Sequence, residues 1–306
     1  GIQGENWLTS GGTPAQLQQL IAANADYALF AVAAGNGAVD IDVTNPANKV
    51  LSGGVARFAA TNANVIAVGA LIANPTDAFT TPVSSLTATA GVQNATSVSR
   101  ADYSNFGPTL TLMAPTDSPA VIANGTILGN WPGLTPASNG ALFFNGTSAA
   151  NPNMAGYASL VWSVNPTLSA GQLRQLLIDT AAPLSAKKAT LALALTAAVP
   201  DATTTSISVS DTYTSAGPAF SPSIWVIRVG AEDMLVTSVT PGTSSSIYTV
   251  IRGYNGSTAA AHGNGATAIR SSYSGASANV GATPGAVQNL AYGYGLVDVG
   301  TAVRRG

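Results

Sequence analysis

The chain reads as an α/β protein: a layered core around a parallel sheet, carrying a small inserted all-β domain. Three observations predict this. Helical and fully apolar strand-like segments follow one another through the first part of the chain, the pattern of helices packed on a buried parallel sheet. Residues 203–272 instead alternate apolar and polar side chains between Gly, Pro, Asn and Ser, the signature of short antiparallel strands. Finally, a chain of 306 residues with 46% hydrophobic content can bury a large core and a smaller one.

The elements follow in order. Residues 13–24 predict a helix, with Thr13 as cap, Pro14 at the first position, and Leu17, Leu20 and Ile21 at helical spacing. Tyr27–Ala34 is apolar throughout and predicts a buried parallel strand, and Val65–Ala70 predicts another core strand. Residues 168–180 predict a helix with Leu173, Leu176 and Leu177 on one face, and Ala189–Val199 reads as a short helix. Thr204–Ser210, Ile224–Val229, Met234–Val239 and Tyr248–Arg252 are the expected strands of the β domain. The expected boundaries are thus a core over 1–202, a β module over 203–272, and a linker with a closing core segment over 273–306.

Composition excludes several classes. Charged residues make up only 8% and the net charge is −2, with Lys187-Lys188 and Arg304-Arg305 the only basic pairs. Nucleic-acid binding needs a dense Lys/Arg face, and none is present. No apolar run approaches the ~18 residues of a membrane span. There are no cysteines, so no disulfide supports the fold.

The segment Gly146-Thr147-Ser148-Ala149-Ala150-Asn151-Pro152-Asn153-Met154-Ala155-Gly156 carries the chemistry. A serine hydroxyl needs a base to take its proton and donors to hold the oxyanion that forms on the attacked carbonyl. Gly146 allows a tight turn before Ser148, and Ala149, Ala150, Met154, Ala155 and Gly156 suit a closely packed, buried helix. At the start of that helix Ser148 would have free N–H groups and the positive end of the dipole beside it. Pro152 is tolerable if it falls in the first turn. The plain alternative is an ordinary helix start capped by Thr147 or Ser148.

This segment resembles the nucleophile motif of the subtilisin-like serine proteases. Four further pieces resemble the family in its order: Phe30–Gly37, ending at Asn36; Val65–Ala70; Tyr103–Pro108 with Met113-Ala114-Pro115; and Tyr294–Val299 with Ala302-Val303. The wording of Tyr103–Gly107, Gly146–Ala150 and Gly293–Asp298 resembles the kexin-like and bacterial convertase-like branch. The resemblance covers residues 1–182 and about 288–306. It implies a subtilisin-like parallel-sheet sandwich with helices on both faces. It also implies Ser148 as nucleophile, with the Asn36 amide and the Ser148 N–H on the oxyanion. Gly11, Gly12, Ala33, Ala34 and Gly35 would line the substrate cleft through their backbones, Gly11 and Gly12 beside a substrate-binding strand near Asn6–Gly12. Asn151 and Asn153 depart from the family pattern.

In the family the triad runs Asp, His, Ser, and the resemblance places its first two members upstream of residue 1. The base and its acid are therefore expected on an N-terminal companion segment, separated by autoprocessing or supplied as a second chain. The single histidine, His262, sits in a small-residue turn region and is expected to be a loop residue bonded to nearby backbone. Glu232-Asp233 is expected to be a solvated hairpin turn. Asp40 and Asp42 follow the Asn36 loop, where some relatives bind calcium, but calcium needs six or more oxygens. No cofactor or metal is otherwise expected. Within the insert, Arg228–Val236 and Val250–His262 resemble a short β module of phage virion and environmental bacterial surface proteins.

Two functions follow. One is a secreted, extracellular or cell-surface serine endopeptidase acting on peptides or proteins, this chain bearing the serine and oxyanion groups. The other is a non-catalytic structural or assembly protein on the same scaffold, working as a homo-oligomer or within a larger assembly. Sparse charge and the virion-like module favour the second.

Overall fold

The computed structural model describes residues 14–42, 54–73, 98–101, 103–116, 118–120, 122–123, 126–127, 142–144, 146–211, 224–278 and 288–306. The chain forms two compact units, Gly1–Ser185 with Ala276–Gly306, and Ala186–Gly275.

The first unit opens with helix α1, Pro14–Ala23. Ile21 is buried but Leu20 is 59% exposed, so its inward face is narrower than the leucine spacing predicts. Strand β1 is Phe30–Ala33 rather than Tyr27–Ala34, and all four of its residues are half-buried. The difference has a local cause: the Tyr27 and Ala28 N–H groups bond back to Asn24 in a turn, which leaves Tyr27 83% exposed. A 3₁₀ helix, Gly54–Ala60, precedes strand β2, Val65–Ala73. Asn64 ties these pieces together, its side-chain amide donating to the carbonyls of Ile21 and Ala28.

Strand β3 is Val98–Arg100 and β4 is Leu112–Pro115. Strand β2 is the axis of the sheet, parallel to β1 and β4 and antiparallel to β3. Its carbonyls sort the neighbours. Those of Val68 and Ala70 accept from Ala34 and Ala101, and those of Ala67 and Leu71 accept from Thr111 and Thr116. Alternate carbonyls point to opposite edges, so β1 and β3 share one edge and β4 has the other. Parallel bridging of Met113 to Leu296, and of Leu296 to Ala182, extends the sheet beyond β4. Gly69 sits in mid-strand because a Cβ there would lie 2.5 Å from the Met113 sulfur.

Two short antiparallel pairs follow: β5 (Ser118–Ala120) with β8 (Leu142–Phe144), and β6 (Ile122–Ala123) with β7 (Thr126–Ile127). Helix α2 is Thr147–Val164 and α3 is Ala170–Thr180. Ser169 and Gln172 close a reciprocal capping box at the start of α3. Helix α4, Val299–Arg305, ends the chain, with the Asp298 carboxylate accepting from the Thr301 N–H. Ile66, Val68, Leu112 and Ala114 of the sheet pack against Ala150, Met154, Ala158 and Val161 of α2 and Leu173 and Leu177 of α3. This is the expected layered α/β core with a parallel sheet.

The second unit is built of strands among its described residues: β9 (Leu184–Ala194), β10 (Ser206–Val209), β11 (Ile224–Val229), β12 (Glu232–Thr240), β13 (Ser246–Tyr254) and β14 (Thr267–Ala278). They pair antiparallel in the order β14, β11, β12, β13, β10, and β9 pairs with β14. Trp225, Ile227, Met234, Val236, Tyr248 and Val250 are central to its core.

The expected helix over Ala189–Val199 is wrong. Ala, Leu and Lys favour a helix, but Leu193 and Leu195 turn inward at a period of two and Val199 bridges to His262. Neighbouring strands outweigh the local propensity. The expectation of a solvated Glu232-Asp233 turn also fails. The turn is Gly230-Ala231, while Glu232 and Asp233 begin β12 and are only 1% and 7% exposed.

Candidate active site

Gly146 has φ 87°, a left-handed conformation that favours glycine, and it caps α2. The cap is therefore neither Thr147 nor Ser148. Thr147 is the first helical residue and Ser148 the second, half-buried. The N–H groups of Ala149 and Ala150 bond to the Gly146 carbonyl, whereas the Ser148 N–H makes no hydrogen bond to any described residue.

Pro152 lies inside α2 beyond its first turn. Having no N–H, it cannot take the Ser148 carbonyl into the helical ladder. Ala155 and Gly156 face outward instead of into the core, and a Cβ on Gly156 would meet nothing within 4 Å. Of the two departures from the family pattern, Asn153 donates to the Pro115 carbonyl at 2.9 Å. Asn151 buries its side-chain oxygen with no partner.

Asn36 comes to this turn from the end of β1. Its Oδ1 accepts from the Thr147 N–H at 2.8 Å and from the Thr147 hydroxyl at 2.9 Å. A backbone N–H can only donate, so the oxygen of the amide must face Thr147 and the NH₂ must face away. That NH₂ lies over Gly146, where a Cβ would approach it to 3.0 Å. The Thr147 hydroxyl also accepts from the Gly35 N–H at 3.1 Å, so Gly35, Asn36 and Thr147 form one hydrogen-bonded unit.

Asn105 shapes the Asn36 loop from beneath. Its side chain accepts from the Gly37 and Val39 N–H groups and donates to the Ala34 carbonyl. Its N–H donates to the Gly35 carbonyl, and the residue is 1% exposed. Ala33 ends β1, and Ala34 and Gly35 follow it directly. Gly11 and Gly12, with the strand expected near Asn6–Gly12, lie outside the described residues.

Asp40 and Asp42 are occupied by protein groups. The Asp42 carboxylate takes both the N–H and the hydroxyl of Thr109, and Asp40 accepts from the Asp42 N–H. Among the described residues no group of three His, Cys, Asp or Glu could hold a metal ion.

His262 is more tightly engaged than expected. Its backbone pairs with Val199 on both sides, and its Nε2 lies 2.7 Å from a Glu232 carboxylate oxygen. The ring is 10% exposed. A carboxylate does sit beside it, brought there by the sheet and absent from its sequence neighbourhood. Glu232 also binds Arg252 through both oxygens, at 2.7 and 2.8 Å. Burial pushes the Glu232 pKa up, but Arg252, His262 and the Ala260 and Gly253 N–H groups outweigh it and leave the value at about 2.

The subtilase family profile matches residues 4–207, two thirds of the sequence and the whole stretch from Asn36 to Ser148. The chain belongs to the subtilase family. Over 155 residues, half of this chain and 19% of the relative, it is 34% identical to an extracellular protease of Xanthomonas campestris pv. campestris. Over 85 residues, 28% of this chain and 26% of the relative, it is 40% identical to subtilisin DY of Bacillus licheniformis. The matched part is thus about a quarter or less of each relative's length.

Asn105, Tyr103, Thr116 and Asn153 hold this subtilase site in shape, yet no role for them was legible in the sequence. Tyr103 and Asn105 stood inside a segment resembling the family. Thr116 and Asn153 gave no signal, because their partners are backbone carbonyls distant along the chain.

Proposed function

We propose that this subtilase chain supplies the nucleophile and oxyanion hole of a secreted serine endopeptidase. Ser148 Oγ attacks the carbonyl carbon of a peptide bond and its proton passes to a base. The carbonyl oxygen becomes an oxyanion, held by the Asn36 NH₂ and the Ser148 N–H. Ala33, Ala34 and Gly35, with Gly11 and Gly12, line the cleft through their backbones. The observation that carries this reading is the Asn36–Thr147 pairing, which commits the amide oxygen and leaves its donor over the nucleophile turn.

The base and its orienting acid come, on this reading, from an N-terminal segment outside the sequence given. His262 supports that assignment, because its ring is already engaged by Glu232. Within the family we place the chain in the kexin-like and bacterial convertase-like branch, and we read the second unit as an inserted β module. Secretion is supported by a relative named as an extracellular protease, and no helix among the described residues is long and apolar enough to cross a membrane.

One observation favours a non-catalytic structural or assembly role instead: the only histidine of the sequence is this occupied one. Fluorophosphonate labelling of the full gene product, followed by peptide mapping, decides between the two. The protease reading expects the label on Ser148 and none in Ser148→Ala. A correctly processed product that stays unlabelled while a control subtilisin reacts establishes the structural reading. The 306-residue chain alone is expected to be a negligible protease. A subtilisin stripped of triad members keeps only about 10³–10⁴-fold over water, too little for a routine assay.

A further inference from the structure

The peptide group before the nucleophile is held from behind by two hydroxyls. The Gly146 N–H donates to the Tyr103 phenol oxygen at 3.0 Å. That phenol lies 3.3 Å from the Thr116 hydroxyl oxygen. The Thr116 hydroxyl donates to the Gly146 carbonyl at 2.9 Å. The direction of this ring is not free. An N–H can only donate and a carbonyl can only accept, while each hydroxyl has one proton. Tyr103 must therefore accept from Gly146 and donate to Thr116, and Thr116 must donate onward to Gly146. Thr116 is 5% exposed, so its hydroxyl has little water to turn to.

We infer that Tyr103 and Thr116 are positioning residues which fix the orientation of Gly146, and through it the Ser148 hydroxyl and N–H. Gly146 has no side chain to hold its left-handed conformation, and Pro152 removes the helical tie on the Ser148 carbonyl. The ring supplies the constraint that the helix does not. It acts on both polar groups of Gly146, whereas Asn36 and Thr147 act on the following peptide. Neither hydroxyl is a catalytic residue.

This inference rests on the protease reading, and its test separates the two. The full gene product is compared with Tyr103→Phe, Thr116→Val and Thr116→Ser, measuring peptide turnover and the rate of Ser148 labelling by a fluorophosphonate. Loss of one neutral hydrogen bond from a preorganised site corresponds to about five- to tenfold in rate. Tyr103→Phe and Thr116→Val are each expected to lower kcat and the labelling rate by about that factor, with KM unchanged. Thr116→Ser, which keeps the hydroxyl, is expected to stay near the parent. The double variant Tyr103→Phe/Thr116→Val is expected to fall short of the product of the single losses, because both open the same ring. Thermal melts of each variant separate misfolding from misplacement.

If the parent labels and Tyr103→Phe labels equally fast, the inference is overturned. Rates that fall only in proportion to lost folded protein, or a Thr116→Ser as slow as Thr116→Val, overturn it too. An unlabelled parent overturns the protease reading itself.

Discussion

The Asn36–Ser148 turn and the Glu232 cluster are both tightly hydrogen-bonded, but by opposite means. Around Ser148 the ties are neutral: amides of Asn36 and Asn105, hydroxyls of Thr147, Thr116 and Tyr103, and backbone groups. In the second unit the ties are ionic. Glu232 binds Arg252 and His262, Asp233 binds Arg228 through both oxygens, and Asp211 binds Arg270 and the Tyr248 phenol. Arg270 is also stacked over Trp225 at 3.9 Å. The difference follows from task. An oxyanion hole must present unused donors, and a neutral frame fixes them without a competing charge. A small β unit with few apolar residues to spare gains definition from ion pairs, at the risk that one lost partner strands the other.

The largest effect expected from this contrast is in the ionic region. Glu232→Ala leaves Arg252 buried without its carboxylate, a loss of about 3–5 kcal/mol for breaking such a pair. Urea unfolding followed by Trp225 fluorescence should show it, while Ser148 labelling of folded full-length protein stays unchanged. A small loss would mean that the cluster is ornamental. In the neutral region, Asn36→Leu should lower kcat by about 10²–10³, the scale known for the oxyanion asparagine of subtilisin itself. Steady-state peptide kinetics test this, and a fall in kcat of less than threefold would remove Asn36 from the hole.

Acid should divide the two regions. Unfolded, the Glu232 carboxyl takes up its proton near 4.5, whereas in the folded chain it does so near 2. Its contribution is therefore complete above pH 4.5, shrinks as the pH falls, and is gone once the folded group protonates. Urea midpoints of the second unit measured from pH 6 to pH 2 should fall with pH, and the slope should flatten in Glu232→Gln. The smallest effect expected is at Asn151, whose buried oxygen has no partner. Asn151→Ala should raise stability by about 1 kcal/mol, read as a shift of the urea midpoint. A destabilised variant would show that the oxygen is satisfied in the whole protein.

Legibility in the sequence followed the range of the interactions. The Ser148 and Asn36 segments were legible because each is a contiguous run whose backbone shape is local. The strand of Val65–Ala70 and the capped helix before Thr180 were legible from apolar runs and spacing. Glu232 and His262 were not, since only strand pairing and the Val199 bridge bring a carboxylate to a histidine so distant along the chain. Leu184–Ala194 misled because its Ala, Leu and Lys residues suit a helix, while pairing with β14 makes it a strand. The Tyr103–Thr116–Gly146 ring depends on side-chain orientation, which no spacing encodes.

The two glycines that bracket the nucleophile motif look alike on the page but carry different histories. At Gly156, open space surrounds the missing methyl and alanine is the better helix former, so a drifting lineage can exchange the letter freely. At Gly146 a left-handed backbone and the Asn36 amide 3.0 Å from a would-be Cβ both exclude it. In a saturation library one column would fill and the other would hold a single letter. A descendant that had given up proteolysis would show it first as a new residue at 146.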